Sequence, residues 1–82
     1  MNIREWTTVG DTPHTVRVEH WRCFSGRARI LVDGHEVYHR KRSLYDTGFE
    51  HRFSLDGLSA IVRCLYRTWH YEYELWIDGK LQ

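Results

Sequence analysis

Proline occurs once in this chain, at Pro13, cysteine twice and methionine once, and no run of about 18 apolar residues is present. Each scarcity excludes something. One proline beside 15% aromatic and 28% charged residues rules out a proline-rich or disordered composition. The missing apolar run leaves no segment to read as a membrane-spanning helix. The opening Met1-Asn2-Ile3-Arg4-Glu5-Trp6 lacks the apolar stretch of a secretory signal, so the expected compartment is the cytoplasm. Charge of one sign is not in excess either: 12 Lys and Arg face 11 Asp and Glu, for a net charge of +1. Without a global field of the kind that draws a protein to polyanions, neither nucleic acid nor a membrane is an expected partner. Cys23 and Cys64 stand far apart, with no zinc-ligand spacing, and are expected as thiols in a reducing compartment. No metal or other cofactor is expected.

Helical hydrophobic periodicity is also missing. A five-residue signature occurs three times in its place: Ile30-Leu31-Val32-Asp33-Gly34, Phe53-Ser54-Leu55-Asp56-Gly57 and Leu75-Trp76-Ile77-Asp78-Gly79. In each copy apolar side chains two apart share one strand face, and Asp-Gly then supplies the positive φ of a tight hairpin turn. Asp33, Gly34, Asp78 and Gly79 are therefore structural residues. The spacings between copies differ, which reads as repeated hairpins and not as a solenoid.

Alternation fills the segments between the turns. Val16, Val18 and His20 share one face, with Arg17, Glu19 and Trp21 opposite; Ala28, Ile30 and Val32 oppose Arg27 and Arg29. Residues 36–42 carry one strongly apolar residue, Val37, and predict a solvated strand. Phe49, His51, Phe53 and Leu55 share a face. Residues 58–66 are apolar on both sides and predict a central strand. In residues 69–77, Trp69, Tyr71, Tyr73, Leu75 and Ile77 point inward and His70, Glu72, Glu74 and Trp76 outward, making Tyr71 and Tyr73 structural. The expected fold is one domain over residues 1–82, all-β, an antiparallel β-sandwich of seven or eight strands.

Candidate chemistry is sparse. Glu72 and Glu74, on one strand face about 6.5–7 Å apart, fall within the carboxylate spacing of inverting glycosidases, but an acid–base pair must straddle a substrate in a cleft, and a solvated strand edge is the expected reading. His35 and His39 lie about 13 Å apart on a strand, too far for one directly held metal ion. Cys23 near His20 has no oxyanion-type glycine motif beside it. No catalytic residue is assigned. The basic run His39-Arg40-Lys41-Arg42 is split by alternation, with Arg40 and Arg42 on one side and Lys41 on the other. Trp21 and Trp76 point outward, where an indole is either covered or part of a binding surface. Trp21, Trp76, Arg40 and Arg42 are thus the candidate binding residues.

The ordered motifs Trp6, Val16-Arg17-Val18-Glu19-His20, Ser25-Gly26-Arg27, Ile30-Leu31-Val32-Asp33-Gly34-His35-Glu36 and Tyr71-Glu72-Tyr73-Glu74-Leu75-Trp76-Ile77-Asp78-Gly79-Lys80 resemble the Fas apoptotic inhibitory molecule family, closest to its N-terminal repeat. The resemblance covers nearly the whole chain and marks Trp6 as structural. It implies a β-sandwich unit of non-immunoglobulin topology, of which animal members carry two. It also implies a cytosolic, non-enzymatic protein linked to death-receptor signalling and to protection from aggregation, with no catalytic residues to carry over. The loop at residues 20–24 is bulkier, and residues 38–44 more basic, than in the family.

The expected function is accordingly a non-enzymatic domain that binds a protein partner, or a second copy, through a sheet edge or an exposed aromatic patch. The alternative is a small-ligand module with a pocket lined by Trp21, Trp76 and Arg40.

Overall fold

The structure, a computed structural model, describes residues 1–21, 26–41, 48–67 and 70–82. Eight strands account for most of them: β1 (Asn2–Thr7), β2 (Thr15–Trp21), β3 (Arg27–Val32), β4 (His35–Arg40), β5 (Gly48–Leu55), β6 (Leu58–Arg67), β7 (His70–Ile77) and β8 (Lys80–Leu81). They form two four-stranded antiparallel sheets, ordered β1-β2-β3-β4 and β5-β6-β7-β8. Within each sheet the strands pair only in sequence order, so neither sheet has the Greek-key exchange of the immunoglobulin arrangement. The described residues are all-β, with eight strands, within the seven or eight that the alternation predicts. No helix among the described residues is long and apolar enough to cross a membrane. The chain divides into two compact units, Met1–Asp46 with the first sheet and Thr47–Gln82 with the second.

In the first unit, register turns alternation into a core. Trp6, Val16 and Val32 lie in one cross-strand row, Arg4, Val18 and Ile30 in the next, and Asn2, His20, Ala28 and Arg40 in a third. Val16, Val18, His20, Ala28 and Ile30 are fully buried. Each buried Val or Ile contributes about 1.5–3 kcal/mol relative to its exposed state. Arg4 leans over the Trp6 ring, 5.2 Å from its centroid, and shields that rim of the core. Between β3 and β4 the register shifts: Ile30 faces Tyr38 but Leu31 faces Glu36, which leaves Val37 as the extra residue of a bulge. β4 is mostly exposed, as its composition predicts.

The three Asp-Gly pairs form the expected turns. Asp33 and Gly34 have φ of 51° and 83°, Asp56 and Gly57 53° and 78°, and Asp78 and Gly79 51° and 75°. Two successive positive φ values define the type I′ turn, whose twist matches that of the flanking strands. Asp33 N–H donates to the Thr15 carbonyl and Asp78 N–H to the Ser59 carbonyl, each at 2.8 Å, so the two turns dock on the preceding strand in the same way.

In the second unit β6 lies between β5 and β7, the central place its two-sided apolar pattern predicts. Ala60, Val62, Cys64 and Leu75 form the buried face, with Leu55 at its end. Cys64 is a buried thiol; Cys23 lies outside the described residues. Tyr71 and Tyr73 are half-buried, and Tyr71 packs against Tyr66 with ring centroids 5.2 Å apart. Trp69 lies outside the described residues. Gly48 begins β5 with φ of 111°, and a Cβ there would overlap the Cys64 backbone carbonyl.

Candidate functional site

Opposite each buried face lies a polar one, and each carries a tryptophan beside an acid–base ladder. In the first sheet Glu5, Arg17, Leu31 and Glu36 form one cross-strand row, Ile3, Glu19, Arg29 and His39 the next, and Trp21 with Arg27 the last. Glu19 anchors this face. Although it sits on the polar side it is only 6% exposed. Arg29 Nε donates to its Oε1, and Arg17 Nε donates to its Oε2 at 2.9 Å. Arg17 Nη1 continues to Glu5 at 3.4 Å. The bond from Arg29, seconded by Arg17, holds the Glu19 carboxyl below its usual range despite the opposing effect of burial. The Arg27 guanidinium lies over the half-buried Trp21 ring, 4.2 Å from its centroid. Trp21, Arg27, Arg29, Glu36 and His39 line a shallow pocket of about 290 Å³.

The second sheet carries the opposite charge order. Arg63, on β6, sits between Glu50 at 3.3 Å and Glu74 at 3.6 Å. The adjoining row runs Arg52, Ile61, Trp76, Leu81 across all four strands. Trp76 is half-buried, and its Nε1 donates to Glu74 at 3.2 Å. Leu81 is 55% exposed. Arg52 reaches Glu50 at 3.3 Å with 76% of its side chain exposed. Glu50, Arg52, Ile61, Arg63, Trp76 and Gly79 line a second shallow pocket, of about 300 Å³.

The register decides which candidate residues meet. Trp21 and Trp76 stand on the polar faces, both partly covered instead of bare, and they belong to different sheets. Arg40 shares the row of Ala28 and His20, on the buried side, so it lies across the first sheet from Trp21; its Nε donates to the Gly26 carbonyl at 2.9 Å. Arg42 lies outside the described residues. The residues gathered around Trp21 are instead Arg27, Arg29, Glu36 and His39. Alternation puts Arg27 and Arg29 on the correct face, but only the pairing of β3 with β2 and β4 brings them together.

Two further carboxylates, Glu72 and Asp33, are engaged in pairs. Arg67 Nε at 3.2 Å, with His70 at 3.4 Å, holds the Glu72 carboxyl below its usual range, the reverse of what a general acid needs. Asp33 accepts from Thr15 N–H at 2.9 Å and pairs with His14 Nδ1 at 2.6 Å, and its carboxyl is lowered by His14 first and Thr15 second. Among the described residues no group of three or more His, Cys, Asp and Glu side chains is placed to hold a metal ion.

No curated protein matches the chain. The family model for Fas apoptotic inhibitory molecule (FAIM1) matches residues 3–82. That span includes every strand from β2 to β8 and all three Asp-Gly turns, so the chain belongs to the Fas apoptotic inhibitory molecule family.

Proposed function

We propose that this chain is a non-enzymatic protein-interaction domain, acting in the cytoplasm, whose contact surface is the polar face of the second sheet centred on Trp76. One observation carries the reading: Ile61, Trp76 and Leu81 form a continuous apolar row across β6, β7 and β8, bordered by Arg52 and by the Glu50–Arg63–Glu74 ladder. An apolar centre with a charged rim is the anatomy of a protein-binding patch, and tryptophan and arginine are the side chains that most often dominate such patches. The face is preferred to the sheet edge. β8 pairs with Trp76 and Ile77, Gln82 N–H extends it to the Leu75 carbonyl, and Tyr71 and Tyr73 further along β7 have interactions of their own.

Family membership gives the proposal its direction. The clients are proteins that expose apolar segments under stress, and the outcome is protection from aggregation, with a link to apoptosis-related signalling. The test is an affinity capture with the tagged chain and its Trp76→Ala variant, from lysate before and after heat stress. Wild type recovers client proteins, and the folded variant loses roughly tenfold or more of that recovery, as for a hot-spot tryptophan. Equal recovery by a folded Trp76→Ala chain removes this face from consideration. Recovery of a small molecule and no protein overturns the reading as a whole.

A further inference from the structure

Across the polar face of the second sheet, Leu81, Trp76, Ile61 and Arg52 stand in one row, one from each strand. Neighbouring strands are about 4.8 Å apart, so three steps make the row about 14 Å long. An extended chain laid along it turns every second side chain toward the sheet, and residues i to i+4 of that chain advance about 13–14 Å. Three partner side chains therefore match the row. One falls on exposed Leu81, the middle one on the pocket beside Ile61 and Trp76, which Gly79 lines without a side chain of its own, and the third on Arg52.

The charges bordering the row are not equally engaged. Glu50 lies 3.3 Å from both Arg52 Nε and Arg63 Nε, while Glu74 accepts from Trp76 Nε1 at 3.2 Å and lies 3.6 Å from Arg63 Nη1. Each acid thus has two partners. Among the described residues Arg52 pairs with Glu50 alone, through Nε, and 76% of its side chain is exposed. A guanidinium carries five N–H donors, so the Nη fork is left for a carboxylate from outside.

We infer, on the reading that this face is the contact surface, that its partner is an extended protein segment of the pattern apolar-x-apolar-x-acidic, whose carboxylate Arg52 receives. The pattern holds in either direction, because a row of side chains fixes spacing and not chain sense. A basic residue in the acidic place meets the Arg52 guanidinium, and adjacent apolar residues point to opposite sides of an extended chain, so charge and spacing are both discriminated.

The test is NMR of the full chain, following the Trp76 indole N–H. The chain is titrated with the end-capped peptides Leu-Thr-Leu-Thr-Glu and Glu-Thr-Leu-Thr-Leu, with a lysine counterpart of each, and with the rearranged control Leu-Leu-Thr-Thr-Glu. At least one glutamate peptide is expected to shift the signal with a Kd on the order of millimolar. Its lysine counterpart binds roughly two- to fivefold more weakly, the size of an exposed ion pair, and the rearranged control roughly tenfold more weakly. Arg52→Gln removes the preference for glutamate over lysine. Leu81→Ala, at an exposed position, weakens both roughly threefold. The proposal is overturned if no peptide binds, if glutamate and lysine peptides bind alike, if the rearranged control binds as well, or if the glutamate preference survives Arg52→Gln. The surface itself is judged separately. Loss of client capture in a folded Trp76→Ala chain keeps it when the peptides fail, whereas peptide binding unchanged in both Leu81→Ala and folded Trp76→Ala removes it.

Discussion

Replacing Glu19 by Gln tests whether a buried acid organises the first sheet. The substitution keeps side-chain volume and removes the charge. Glu19 accepts two charge-assisted bonds, from Arg29 and Arg17, while its side chain is only 8% exposed. Hydrogen bonds to charged groups contribute about 1.5–3 kcal/mol and neutral ones about 0.5–1.5, so neutralising the acceptor costs about 1 kcal/mol per bond. Breaking a fully buried pair costs about 3–5 kcal/mol because an orphaned charge remains inside. That larger figure does not apply, because Arg17 and Arg29 are 38% and 39% exposed and recover solvation. The expected loss is about 2 kcal/mol at neutral pH, or about 8–16 °C in Tm for a domain of this size. The pH dependence follows from the lowered carboxyl of Glu19. A depressed folded-state pKa gives stability that is complete above the unfolded-state value of about 4.3 and is lost as pH falls through the folded-state value. Urea unfolding followed by tryptophan fluorescence therefore shows most of the difference between wild type and Glu19→Gln at pH 7 disappearing in acid. A loss under about 0.5 kcal/mol at pH 7, the range of an ordinary surface change, or a difference that persists undiminished in acid, refutes the reasoning.

Glu50→Gln, in the charge-inverted ladder of the second sheet, is expected to cost no more than about 0.5 kcal/mol in the same assay, because that ion pair is solvent-exposed. Asp33→Asn and Asp78→Asn both preserve a residue that tolerates positive φ, yet only Asp33 holds His14 and Thr15. Thermal melts at neutral pH should show a larger fall for Asp33→Asn, and a gap that closes in acid, since its lowered carboxyl contributes stability only above that range. Gly48→Ala sets a Cβ against the Cys64 carbonyl and is expected to cost more than about 3 kcal/mol, whereas Gly57→Ala, with open space around its Cβ, costs about 1–2 kcal/mol for positive φ alone. Equal losses in a denaturant titration remove steric overlap as the cause.

What was legible in the sequence was whatever depends on a residue and its near neighbours. Asp-Gly specifies a type I′ turn through its own φ preferences, and alternation sorts Val16, Val18 and His20 from Arg17, Glu19 and Trp21 without knowledge of any partner strand. Position across the sheet requires register, which is non-local. That is why Arg40, adjacent to His39 in the chain, lies on the face opposite Trp21, while Arg27 and His39 approach the pocket beside it. The bulge at Val37 adds one residue to β4 and sets how Glu36 and His39 meet β3, and no turn signal marks it. Glu19 was missed for a different reason. Its alternation is that of a solvated residue, and its burial comes from long neighbours, Arg17 and Arg29, which cover it once the sheet has formed.

The ordering of both sheets bears on how the chain reaches its native state. Every observed strand pairing joins consecutive segments, so each ladder closes a short loop and none waits for a distant part of the chain to return. All-β domains with long-range exchanges are among the slow folders because loop-closure entropy is lost before contacts compensate. A pair of meanders avoids most of that delay. Backbone amides therefore spend little time as unpaired strand edges during folding, when such edges are most open to pairing with another chain.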